Sequence, residues 1–120
     1  PGYLSEFYEI ASSEHIKLFR HPVRSHFIIL VHPAADGFIL SCAEVANVNM
    51  ADYGLSSKLK EFTAQTKNVM SNKDPRFKRL FRSMKGIGEI KLMESLIAYL
   101  ANNTYQASNE KISEIFQNNV

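Results

Sequence analysis

The stretch Arg24–Met50, RSHFIILVHPAADGFILSCAEVANVNM, constrains this chain more than any other, because it is apolar on both alternating sets of positions. Phe27-Ile28-Ile29-Leu30-Val31 is a run of five apolar residues, three of them β-branched, and Phe38-Ile39-Leu40 opens a second run. Short apolar runs bounded by turn residues favour strands, and β-branched side chains fit a pleated surface. Pro33 cannot donate to a ladder and Gly37 tolerates positive φ, so Pro33–Gly37 reads as the break between two strands. The spacing predicts an antiparallel hairpin over residues 24–48. In that register Cys42 lies opposite Ile28 and His26 pairs with Glu44. An isolated hairpin is marginal in water, so helices, a further strand or a second subunit must cover its faces.

The rest of the chain supplies that cover. Leu4, Phe7, Tyr8 and Ala11 recur at helical spacing, which predicts an amphipathic helix over Tyr3–Ala11. Residues 15–20 alternate Ile16 and Leu18 with His15 and Lys17, although Ile16 and Phe19 also fit a helical turn. A strand is the reading taken here, paired with Arg24–His32. Leu55, Leu59, Phe62, Thr66 and Val69 predict a helix of about four turns. Asp74-Pro75 is an N-cap followed by a first-turn proline. The helix it starts carries Phe77, Leu80, Phe81 and Met84 on one side and stops at Gly86. Ile90, Met93, Leu96, Ile97 and Leu100 mark the next helix. Ser108 caps a last one through Ile112, Ile115 and Phe116. The expected fold is α+β: a small antiparallel sheet packed by an N-terminal helix and about four C-terminal helices.

A chain of 120 residues suits one domain, 1–120, with one core. No apolar stretch approaches the roughly 18 residues of a membrane span, and no signal-peptide pattern is visible. Cys42 is the single cysteine and cannot form an internal disulfide, so a reducing, cytoplasmic compartment is expected. The net charge of +2 implies little about partners, but its distribution implies more. Residues 73–91 hold seven Lys/Arg against Asp74 and Glu89, leaving seven Lys/Arg against ten Asp/Glu elsewhere.

That basic segment is the main functional signal. Arg76, Lys78, Arg79, Arg82 and Lys85 lie off the apolar stripe, with no acid between Pro75 and Gly88. Like charges at i, i+3 and i+4 disfavour a helix, so a sequence that accepts them can be using the field for an anionic partner. Gly86-Ile87-Gly88 follows, directly before a helix. Residues 76–100 resemble the helix–hairpin–helix motif of DNA-binding and repair proteins, in which a Gly-apolar-Gly turn joins two helices. The resemblance implies that Gly86 and Gly88 present backbone N–H groups to a nucleic-acid phosphate, with Lys91 adding charge. An ordinary glycine turn between two helices accounts for the same residues.

Other chemistry finds little support in the residue pattern. His15, His21, His26 and His32 lack metal-ligand spacing on a helix. His26 and His32 would stand about 20 Å apart along a strand. Strand ends and turns explain these histidines, so no metal and no cofactor is expected. Cys42 across from Ile28 reads as a core residue. No motif places a nucleophile beside a base, so no enzyme is expected. The leading expectation is a non-enzymatic nucleic-acid-binding domain. The alternative is a protein-interaction or dimerisation module that uses the uncovered sheet, with a homo-oligomer as its simplest form.

Overall fold

The computed structural model describes residues 2–68 and 74–119. A 3-10 turn, Tyr3–Glu6, leads into three strands: β1 Tyr8–Ser12, β2 Ile16–Arg20 and β3 Phe27–Val31. Helix α1 covers Ala35–Val45, and a second 3-10 turn covers Met50–Tyr53. Four helices follow: α2 Leu59–Asn68, α3 Pro75–Met84, α4 Gly88–Asn102 and α5 Asn109–Asn118. The class is α+β, as the sequence predicts. No helix among the described residues is long and apolar enough to cross a membrane.

The strands form an antiparallel meander in the order β1-β2-β3. Residues 16–20 are a strand and pair with β3, as their alternation predicts. Ile16 stands opposite Val31 and Leu18 opposite Ile29, so these four share the face turned to the core. Ile16 and Leu18 are completely buried. On β1 the register shifts between Glu9 and Ala11. The extra residue of such a bulge breaks strict alternation. Ile10 and Ala11 accordingly both pack against the core. The other face of the sheet carries Lys17 opposite Leu30 and Phe19 opposite Ile28.

Two expected elements differ. Residues 35–45 are helix α1, not the second strand of a hairpin over 24–48. Only β3 of that hairpin is a strand, and its partner is β2. Within α1, Phe38 and Cys42 are buried one turn apart, and Ala43 is buried beside them. Periodicity alone cannot separate a short apolar run in a strand from the same run in a buried helix. Burial of Phe38, Cys42 and Ala43 at helical spacing decides for the helix, and Gly37 is absorbed into its first turn. The expected pairs Cys42–Ile28 and His26–Glu44 therefore do not form. Instead, the Tyr3 hydroxyl lies 2.5 Å from His26 Nδ1.

Residues 3–11 are not a helix. Leu4 is 71 % exposed, so its place in the apolar stripe is unused. Nine residues are too few for a stable free helix, and the ladder to β2 captures Tyr8–Ser12 instead.

The C-terminal helices follow the expected pattern more closely. Asp74 accepts a hydrogen bond from the Arg76 N–H as N-cap of α3, with Pro75 at its first position. Ser108 caps α5 through the Lys111 N–H. Phe62, Phe77, Leu80, Met84, Leu96, Ile112 and Phe116 are buried as predicted. Leu59, Phe81 and Ile97 are exposed instead. Leu92 is completely buried. Val69 lies outside the described residues.

The expected energetic contrast is between the two faces of the sheet. Leu18→Ala should destabilise by about 2–5 kcal/mol, because it empties a fully buried site on the central strand. Leu30→Ala, at a position 44 % exposed on the other face, should cost about 1 kcal/mol or less. Denaturant midpoints of the two variants, compared at equal m-value, check the assignment of faces.

Candidate functional site

Two places on the molecule gather chemistry. The first is α3. Its first cation, Arg76, is consumed locally. The guanidinium lies 2.9 Å from Asp74 Oδ2 and donates to the Gly54 carbonyl at 3.1 Å. The hydrogen bonds from Arg76 hold the Asp74 carboxyl below its ordinary range. Lys78, Arg79, Arg82 and Lys85 are exposed. Among the described residues, no carboxylate lies within 4 Å of these four. Phe81, one helical turn from both Lys78 and Lys85, is 40 % exposed.

The glycine turn lies apart in character. Gly86 and Gly88 both adopt positive φ, 77° and 54°, which explains why the turn needs glycine there. The Gly86 N–H already donates to Glu94 Oε1 at 3.1 Å. Gly88 opens α4, whose first-turn N–H groups lack intrahelical acceptors. Lys91 is exposed on that helix. α3 packs mainly on the 3-10 turn Met50–Tyr53, and α4 packs on α5 and α1.

The second place is the cleft at the start of α4. It has a volume of about 560 Å³ and is lined by Glu14, His15, Cys42, Glu44, Gly88 and Glu89, among others. Three elements supply its ionisable groups, and Asn119 at the end of α5 adds to its lining. The tight turn from β1 to β2, closed by the Ser13 N–H to the Ile16 carbonyl at 2.7 Å, presents Glu14 and His15. The last turns of α1 present Cys42 and Glu44, and the first turn of α4 presents Glu89.

Glu89 ties two of these elements together. Its Oε2 accepts from the Ser13 hydroxyl and from the His15 N–H, the latter at 2.9 Å. Its Oε1 lies 2.7 Å from His15 Nδ1. Burial alone would raise the Glu89 carboxyl, but the hydrogen bonds from Ser13 and His15 outweigh it and hold the group below its ordinary value. An ionised carboxylate only accepts, so His15 Nδ1 carries the proton of that contact. Cys42 behaves differently. Burial first, and then the Glu89 charge, push its thiol up to about 12. It is a protonated wall group and not a thiolate nucleophile.

None of these cleft contacts was legible beforehand. Residues 15 and 89 are far apart in the chain, and the pairing requires α1 to be a helix. The only local hint was Glu89 itself, an acid that suits a helix start. The expected site residues and the cleft meet only at Gly88. His21 also proves to be a turn residue: its Nδ1 accepts from the N–H groups of Val23 and Arg24, and its Nε2 faces Glu6 at 3.1 Å. Comparisons with family models, with curated proteins and with solved structures find no match for this chain.

The tie predicts a pH dependence. A carboxyl whose folded value is depressed adds stability above its unfolded value, ordinarily 4.5, and loses it as pH falls through the folded value. The stability difference between wild type and Glu89→Ala should be about 1–3 kcal/mol at neutral pH and constant down to about pH 5. It should shrink at lower pH. Urea titrations between pH 3 and pH 7 measure this directly, and a difference that grows on acidification would contradict the assignment.

Proposed function

We propose that the protein is a non-enzymatic nucleic-acid-binding domain that holds its partner on the exposed face of α3. The observation that carries this reading is the set Lys78, Arg79, Arg82 and Lys85: three exposed cations on a ten-residue helix and a fourth at its C-cap, without a carboxylate partner among the described residues. Such a field attracts phosphates, and each neutralised phosphate releases counterions. Phe81 adds an exposed aromatic surface between Lys78 and Lys85, which suits stacking against an unpaired base. Single-stranded nucleic acid is therefore the preferred partner.

Arg76 contributes less, because Asp74 and the Gly54 carbonyl already engage it. In our reading the Gly86-Ile87-Gly88 turn is no phosphate contact, despite its likeness to a helix–hairpin–helix turn. Glu94 occupies the Gly86 N–H, and the start of α4 forms a wall of a cleft that Glu14, Glu44 and Glu89 make acidic.

Fluorescence anisotropy with single- and double-stranded DNA and RNA at two salt concentrations tests the proposal. Arg79→Ala combined with Arg82→Ala should weaken binding to every sequence. It should also reduce the salt slope by about 0.7 per lost contact on single strands. Phe81→Ala should weaken single-strand binding more than duplex binding. Wild type that binds none of these at low salt would leave α3 as a solvated face.

A second reading has its own observation. Phe19, Ile28 and Leu30 lie on the sheet face that is not part of the core, and Leu30 is 44 % exposed. An interaction or dimerisation module would use that face. Light scattering at high micromolar concentration, with Leu30→Lys as the disrupting variant, distinguishes a dimer from a monomer.

A further inference from the structure

The cleft at the start of α4 holds a group of side chains that the basic helix does not use. Glu14, His15 and Glu89 each bring one ligand-type atom within 4.8 Å of the others. Two come from the β1–β2 turn and one from α4, so chain proximity alone does not assemble them. We propose that Glu14, His15 and Glu89 form a binding site for a divalent transition-metal ion of the zinc class, with one side open to the cleft.

Three features point to a cation and to that class. The cleft is lined by three carboxylates, those of Glu14, Glu44 and Glu89, and by no Lys or Arg among the described residues. Glu44 sits in the last turn of α1, where a negative charge opposes the helix dipole, and Glu14 is exposed beside Glu89. A bound cation offsets both repulsions. The donor set mixes an imidazole with carboxylates, which suits zinc, whereas magnesium and calcium prefer oxygen alone.

Glu89 is also held as a ligand would be. The Ser13 hydroxyl and the His15 N–H fix one of its oxygens and leave the other turned to the imidazole. Outer hydrogen bonds of this kind orient metal ligands and tune them. Tetrahedral zinc with bonds near 2.1 Å needs ligand atoms roughly 3.4 Å apart. Zinc replaces the proton between His15 Nδ1 and Glu89 Oε1, which leaves to solvent, so this 2.7 Å pair opens by roughly 0.7 Å while the exposed Glu14 side chain rotates in from within 4.8 Å.

Isothermal titration of the full chain with zinc chloride and, separately, magnesium chloride tests the site. One zinc ion per chain should bind, and the thermal midpoint should rise with zinc concentration and not with the same concentration of magnesium. Glu14→Gln removes an exposed carboxylate without touching the Ser13–His15–Glu89 tie, and it should weaken zinc binding at least ten-fold. His15→Ala, with its fold checked by circular dichroism, should abolish binding. His26→Ala, outside the cleft, should change nothing. Wild type without saturable zinc uptake would overturn the proposal, as would wild-type affinity in both Glu14→Gln and His15→Ala. Glu89 would then be a hydrogen-bonded tie and nothing more. The outcome is independent of nucleic-acid binding by α3.

Discussion

The pairing of β2 with strands on both sides is the constraint on which the rest of this molecule depends. A three-stranded sheet has only one central strand, and here that strand places Ile16 and Leu18 on the covered face with no exposure at all. Everything that buries them must come from elsewhere in the chain. Helix α5 returns to lie against β1, and α4 bridges α5 to α1. The last residues of the chain therefore complete a core that begins at residue 16. A fold closed by such distant contacts gains little from any single helix alone, because short helices need tertiary packing to persist.

Charge is sorted over this frame in a way that the net value of +2 conceals. The acids flanking α3 in the chain are already engaged, one of them by the first cation of α3 itself. Asp74 is held by Arg76, and Glu89 by Ser13 and His15. Glu94 accepts from the Gly86 N–H. Among the described residues, no carboxylate lies within 4 Å of the exposed cations Lys78, Arg79 and Arg82, and Glu14, Glu44 and Glu89 gather around the start of α4. A phosphate at the glycine turn would meet that acidic cleft. The positive end of a helix favours an anion only where nearby charges do not oppose it.

Elements whose burial pattern is set by their own spacing were legible in the sequence. Alternation over residues 15–20 favours the strand observed at Ile16–Arg20 over a helical turn, and α3 is readable from an N-cap aspartate, a proline and a stripe of Phe77, Leu80 and Met84. What could not be read was any element whose identity depends on its neighbours. Leu4, Phe7, Tyr8 and Ala11 fit a helix as a pattern, yet the free edge of β2 offers Tyr8–Ser12 a ladder that a nine-residue helix cannot match. Phe81 fits the same stripe as Leu80, but it stands at the margin of the surface that α3 turns inward, and it remains 40 % exposed.

The misread segment and the unforeseen cleft are one problem. As a strand, residues 38–42 would have paired with β3 and set Cys42 against Ile28. As helix α1, the same residues stand beside α4 and bring Cys42 and Glu44 to the β1–β2 turn. The space between that turn and the start of α4 becomes a cleft only because α1 closes its third side. Glu89 then lies within reach of His15, and the Glu89 charge falls on the Cys42 thiol. Each of these residues looks ordinary in the sequence: an acid at a helix start, a histidine at a strand end, a cysteine in an apolar run. Their chemistry arises from a choice between strand and helix that eleven residues of apolar pattern leave open, and that packing against the rest of the chain decides.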